Sequence, residues 1–257
     1  MLEPIIQAVR EEGALMLQAH AIQVEEKTSA KDLVTNYDRL VQRHLEEKLR
    51  RLVPEAGFLG EEGLQKRASR QDGPYFVIDP IDGTMNFSRG YRRSCISVAL
   101  ARGACAELGV VYDPYLDELF SAQRGGGACL NGRPIGVSDR PLSRAIVMFG
   151  TTPYDRMRTE ETFRLGRALF DRSLDLRRSG SAAIDLCAVA AGRAEVFYEW
   201  MLSPWDYAAA GLILEEAGGI VETVTGGTIS MTEKSSVLAG NRAAFAEARQ
   251  IAREVIR

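Results

Sequence analysis

Two carboxylates three residues apart, Asp79 and Asp82, close an apolar run, Tyr75-Phe76-Val77-Ile78, that reads as a buried strand. The full stretch is Asp79-Pro80-Ile81-Asp82-Gly83-Thr84-Met85-Asn86-Phe87, with a proline between the acids and a glycine turn just after them. Such a strand end can hold hard, oxygen-loving cations beside a substrate, and it suits cation-assisted hydrolysis of a phosphate ester. Other acids could complete the set. Glu61 and Glu62 end an earlier strand-like run, and Asp38 and Asp206 each fall in the first turn of a helix-like stretch. Each segment alone also has an ordinary reading. An Asp in a helix first turn partners the helix dipole. Glu-Glu beside glycine makes a solvated turn, and Asp-Pro followed by Asp-Gly makes a pair of turns.

The rest of the composition narrows the chemistry. The chain has two histidines, His20 and His44, both in stretches that read as helix. His-ligated zinc, Ser-His-Asp triads and phosphohistidine chemistry need more or better placed histidines, so carboxylates and metal must carry any hydrolysis. The four cysteines, Cys95, Cys105, Cys129 and Cys187, form no CxxC pair and read as buried free thiols of a reducing compartment. A formal net charge of −3 points to neither nucleic acid nor membrane as the main partner. With 46% apolar and 26% charged residues, the 257-residue chain can form one large unit or two packed halves. Met1 leads into an amphipathic helix and not a signal peptide, and no apolar run approaches the roughly 20 residues of a membrane span. The expected location is the cytoplasm.

The elements that must position these acids can be read in outline. Apolar residues at helical spacing predict a helix over residues 2–20, and residues 21–34 form a polar connector. Thr35 is placed to cap a second helix, with Asp38 in the capping-box position and Val41, Leu45, Leu49 and Leu52 on one face. Three strand-like runs, from Cys95 to Ala101, Leu108 to Tyr112 and Glu118 to Ala122, punctuated by turn residues, suggest an antiparallel meander. From about residue 143 strands and helices alternate in α/β style. One helix there is strongly marked: Ser203 caps it, Pro204 opens it, alanines fill it and Gly218-Gly219 stops it.

Taken together, the acidic segments resemble the inositol monophosphatase family. The resemblance is carried by Gly60-Glu61-Glu62, by Asp79 to Phe87, by Trp205-Asp206-Tyr207-Ala208-Ala209-Ala210-Gly211 and by Glu216-Ala217-Gly218-Gly219, all in the family's order. Lys31-Asp32-Leu33-Val34-Thr35 with Asp38, and Gly180-Ser181-Ala182-Ala183, add to it. It implies an α/β (α+β) fold, a layered αβαβα sandwich, with an N-terminal half (1–142) holding most metal ligands and a C-terminal half (143–257) holding Asp206 and the substrate pocket. It implies hydrolysis of a small phosphorylated substrate, inositol 1-phosphate first, with two or three Mg²⁺ ions. Glu61, Asp79 and the Ile81 carbonyl would hold one ion, and Asp79, Asp82 and Asp206 a second. A third would lean on Glu61 and water. Thr84, its hydroxyl held by Asp38, would orient the attacking water, and the N–H groups of Gly83 and Thr84 would face the phosphate. Glu199 matches the position that bonds inositol hydroxyls. Gly180, Ser181 and Ala182 match the loop lining that pocket, and Lys27 a basic position near the metals. The family is commonly dimeric and lithium-inhibited, so a homodimer and lithium sensitivity are expected.

One departure bears on the substrate. Where many relatives carry a Pro-aromatic pair after Asn86-Phe87, this chain has Tyr91-Arg92-Arg93. These arginines could be a solvated loop or an oligomer contact, or could meet a second phosphate and widen the range towards fructose 1,6-bisphosphate or NADP(H). Arg177 and Arg178 are a further basic pair beside the pocket loop. Histidinol phosphate and 3′-phosphoadenosine 5′-phosphate are alternatives for the same chemistry. A regulatory or binding protein with incidental catalysis is the alternative of another class.

Overall fold

The computed structural model describes residues 1–27, 33–62, 73–153 and 155–256. Lys31, Asp32 and the Gly63 turn therefore lie outside the described residues. The chain opens with helix α1 (Leu2–Leu17), followed by a two-stranded antiparallel pair, β1 (Val24–Glu26) and β2 (Leu33–Thr35), and then α2 (Asn36–Leu52). Seven strands follow: β3 (Gly57–Gly60), β4 (Pro74–Asp82), β5 (Cys95–Arg102), β6 (Cys105–Asp113), β7 (Glu118–Gln123), β8 (Ala128–Leu130) and β9 (Arg133–Ile135). They form one sheet in chain order, antiparallel throughout except for the parallel pair β3–β4. A short helix, α3 (Thr84–Ser88), interrupts them after β4. The remainder is β10 (Ile146–Phe149), α4 (Thr159–Phe170), β11 (Asp175–Arg177), α5 (Ala182–Ala190), β12 (Val196–Leu202), α6 (Pro204–Glu216), β13 (Ile220–Glu222), β14 (Ser235–Gly240) and α7 (Arg242–Ile256). Its strands make a mixed sheet in the order β11-β10-β12-β14-β13.

Side-chain alternation stacks these pieces. On β4, Phe76 and Ile78 face the apolar stripes of α1 and α2, where Val41, Leu45 and Leu49 are fully buried. Tyr75 and Val77 point the other way and pack on α5 and α6. Those two helices lie between the sheets and are buried nearly all round, which is why their sequences carry no polar face. On β12, Phe197 faces α5 and α6, while Val196 and Tyr198 face the outer helices α4 and α7. The layers are thus helix, sheet, helix, sheet, helix, as the resemblance implies. Among the described residues no helix is long and apolar enough to cross a membrane.

Two expectations are corrected. The first helix ends at Leu17, so His20 lies beyond it. There the His20 N–H donates to the Tyr37 hydroxyl at 3.1 Å, and Ala21 turns the chain with a positive φ of 49°. The polar connector contains β1, all of whose residues are exposed, so no alternation betrays it in sequence.

Candidate active site

Asp79 and Asp82 would point to opposite faces of an unbroken strand, because side chains alternate. The β4–β5 register removes that problem. Asp79 pairs with Ser97 and Asp82 with Cys95, so β4 advances three residues while β5 advances two. The extra residue is a bulge at Pro80-Ile81, where proline has no N–H to give the ladder. The bulge brings both carboxylates into one cavity of about 460 Å³. Asp206 enters from the first turn of α6, and one carboxylate oxygen of each acid lies within 4.8 Å of the others.

Each of the three acids is anchored by one oxygen. Asp79 Oδ1 accepts from the Ile81 N–H at 3.0 Å. Asp82 Oδ2 accepts from the Ser181 hydroxyl at 2.6 Å and the Ala183 N–H at 2.8 Å. Asp206 Oδ2 accepts from the Ser203 N–H at 2.7 Å. Among the described residues no hydrogen bond reaches the second oxygen of Asp79 or Asp206, so the three acids crowd together with few donors to offset their charge. Burial and mutual repulsion push Asp79 and Asp206 well above the usual carboxylate range. Burial raises Asp82 to about 6 even though Ser181 and Ala183 bond its charged form. A set of acids that repel in this way fits a bound divalent cation, which would restore the charged forms of all three.

Around this trio the other expected residues fall into place unevenly. Gly83 turns the chain at φ +89°, a conformation that favours glycine, and a Cβ there would meet the Arg93 carbonyl at 3.0 Å. The turn presents Thr84, whose hydroxyl lies 3.0 Å from Asp38 Oδ1 and 3.1 Å from the Ile81 carbonyl. Asp38 itself is buried in the capping box of α2, where its Oδ2 accepts from the Thr35 N–H at 2.8 Å. Burial lifts Asp38 to about 6 against these hydrogen bonds. Glu61 stands outside the close trio but lines the same cavity. Its Oε1 accepts from Lys27 at 2.8 Å, and Lys27 also pairs with Glu62. Burial raises Glu61 to about 7, with Lys27 opposing.

A side chamber of about 70 Å³ opens next to the cavity, sharing Asp82, Glu199 and Asp206 with it. Gly180, Ser181 and Ala182 line it, although the Ser181 hydroxyl is occupied with Asp82. Glu199 is buried there, and burial raises it to about 7. Its partner was not foreseen. The Thr152 N–H donates to Glu199 Oε1 at 2.8 Å, and a Cβ on Gly150 would overlap Oε2 at 1.8 Å. The pairing of Phe149 with Tyr198 sets Gly150 beside Glu199, so the signal was a glycine directly after a strand. Asn86 also acts beyond its motif. Its Nδ2 donates to the carbonyls of Arg93 and Ser179 at 2.6 and 2.9 Å, tying α3 to the pocket loop.

Comparison with known proteins decides the family. A model of the inositol monophosphatase family matches residues 1–257. The chain belongs to the inositol monophosphatase family. A Dictyostelium discoideum inositol monophosphatase is 40% identical over 254 residues, covering 93% of this chain and 90% of that protein. Nus factor SuhB of Pseudomonas aeruginosa is 38% identical, with 95% and 93% covered. The crystal structure of extragenic suppressor protein suhB from Bartonella henselae superposes with a TM-score of 0.91 at 32% identity, with 98% of each chain covered. As a member of the inositol monophosphatase family, the chain is a phosphoric monoester hydrolase for small phosphorylated substrates, and its acidic trio fits a metal site.

The arginines of the departure lie away from both chambers of the site. Arg93 reaches Asp113 at 3.4 Å and lines a separate groove of about 400 Å³ together with Tyr91. Arg92 is exposed with φ +57° and lines neither chamber of the site. The arginine that does line the side chamber is Arg178.

Proposed function

We propose that this phosphatase hydrolyses a sugar or polyol phosphate, inositol 1-phosphate first, with Mg²⁺ as its metal. The observation that carries the reading is the trio Asp79, Asp82 and Asp206, each held in place by a hydrogen bond and each bringing one carboxylate oxygen within 4.8 Å of the others. All-oxygen donors with room left for water suit Mg²⁺. Glu61 and the Ile81 carbonyl line the same cavity and would complete a second ion's ligands. When bound there, the ions supply positive charge that lowers the pKa of water and neutralises the leaving oxygen. The chain's own groups do the positioning. The Thr84 hydroxyl donates a hydrogen bond to Asp38, which leaves the Thr84 oxygen's lone pairs free to accept from, and so orient, an attacking water. The backbone N–H groups at Gly83 and Thr84 would face the phosphate oxygens. Glu199, held by Thr152 through Oε1, offers Oε2 to a hydroxyl of the alcohol.

The test is phosphate release from inositol 1-phosphate. Release with Mg²⁺ that stops with a chelator and falls with Li⁺ is the expected result. Chelator-insensitive release would overturn the metal assignment. A second reading, a regulatory protein with incidental catalysis, is favoured by one observation, the name Nus factor carried by a relative at 38% identity. Asp82→Asn separates the two: a regulatory function would survive it, and the hydrolysis would not.

A further inference from the structure

Gln42 lies on the buried face of α2, one helical turn beyond Asp38. It is 3% exposed, and among the described residues neither atom of its amide has a hydrogen-bond partner. Val41, Leu45 and Leu49 fill the same helix–sheet interface with apolar side chains. A buried amide without a partner costs stability that an apolar side chain of the same length would recover. A polar group kept at such a place implies a use.

What the amide faces is the end of β3. Phe58 packs towards α1 and α2 and Leu59 towards α5 and α6, so alternation turns Gly60 to α2 and Glu61 back to the cavity. A Cβ on Gly60 would stand 2.7 Å from Gln42 Nε2 and 3.0 Å from Oε1, which sets the amide directly against the Gly60 backbone. β3 is also the edge of its sheet. The Glu61 N–H donates to the Ile78 carbonyl at 3.3 Å, so the N–H and C=O of Gly60 turn away from β4, to the side where no strand follows. A side-chain amide carries both a donor and an acceptor, the complement of such a backbone unit, directly or through one water. Lys27 holds the Glu61 and Glu62 carboxylates, but the backbone that carries them leaves an edge strand. Gln42 is the polar side chain set against that backbone, one residue from Glu61.

Resting on the metal-dependent phosphatase reading above, we infer that Gln42 is a positioning residue whose amide braces the Gly60 backbone and so sets Glu61 as a metal ligand.

The test is calorimetric titration of the metal-free protein with Mg²⁺, run beside urea unfolding. Gln42→Met keeps the length and flexibility of the side chain and removes only the amide. It should hold the wild-type urea midpoint, yet weaken one Mg²⁺ binding event about tenfold, the usual size for loss of a partner behind a metal ligand. The Mg²⁺ concentration that half-activates phosphate release from inositol 1-phosphate should rise by the same factor, with kcat at saturating Mg²⁺ within about twofold of wild type. In a Glu61→Gln background, Gln42→Met should change Mg²⁺ binding by less than about twofold, because the ligand it positions is gone. Mg²⁺ binding in Gln42→Met within about twofold of wild type overturns the inference. So does a weakening that persists in the Glu61→Gln background, or a fall in the urea midpoint together with loss of every binding event. If the wild-type protein binds no Mg²⁺, it is the metal reading that fails.

Discussion

The starts of α2 and α6 share one local grammar and put it to two uses. Each places an aspartate three residues after a hydroxyl-bearing cap, and each aspartate accepts the backbone N–H of that cap through Oδ2, at 2.8 Å for Asp38 and 2.7 Å for Asp206. Their second oxygens differ. Asp38 Oδ1 faces the Thr84 hydroxyl and is satisfied by it. Asp206 converges with Asp79 and Asp82, one carboxylate oxygen of each within 4.8 Å of the others. A capping box fixes the orientation of a carboxylate without consuming it, and what lies across the cavity then decides its role. A third helix start sharpens the contrast. Asp185 lies in the first turn of α5 and is 2% exposed, yet among the described residues its carboxylate does not accept from its cap residue Ser181: Oδ2 takes the Ser179 N–H at 3.5 Å and Oδ1 has no partner.

Four substitutions test this contrast. Asp206→Asn keeps the volume and an acceptor for the Ser203 N–H but removes a charge from the trio, and turnover should fall about a thousandfold. Asp185→Asn tests stability. Burial raises Asp185 to about 7, above the ordinary value of about 3.9 for an exposed Asp. Its favourable contribution is therefore whole below about pH 4 and lost as pH rises through about 7. The variant should match wild type near pH 4 and exceed it by about 2–4 kcal/mol at pH 8 in urea unfolding, and a gap that does not change with pH would refute the assignment. Asp38→Asn sets an N–H₂ against the Thr84 hydroxyl or the Thr35 N–H, so kcat should fall about tenfold with little change in the Mg²⁺ concentration needed. Thr35→Ala removes a cap and should cost about 1 kcal/mol in thermal unfolding, a smaller effect.

The parts of the site that were legible in sequence are those that local rules encode. Thr35 with Asp38 and Ser203-Pro204 with Asp206 announce their helix starts, and the run from Tyr75 to Phe87 shows strand, acids and turn in order. The layered fold followed from the family resemblance that these segments carry together. Long-range pairing hid the rest. The bulge that turns Asp79 and Asp82 to one side exists only in the β4–β5 register. The hold of Thr152 on Glu199 depends on β10 lying beside β12. Arg92 and Arg93 drew attention because they interrupt a familiar motif, yet the loop carries them away from both chambers, and Arg178 reaches the site through the turn before α5. Short exposed strands such as β1 left no periodic trace.

The central claim is that Asp206 holds metal while its counterpart Asp38 does not. Calorimetric titration of the metal-free protein with Mg²⁺ tests it most directly. The account predicts heat of binding in wild type and in Asp38→Asn, and a loss of at least one binding event in Asp206→Asn. Equal binding in Asp206→Asn and wild type, or its loss in Asp38→Asn alone, would contradict it.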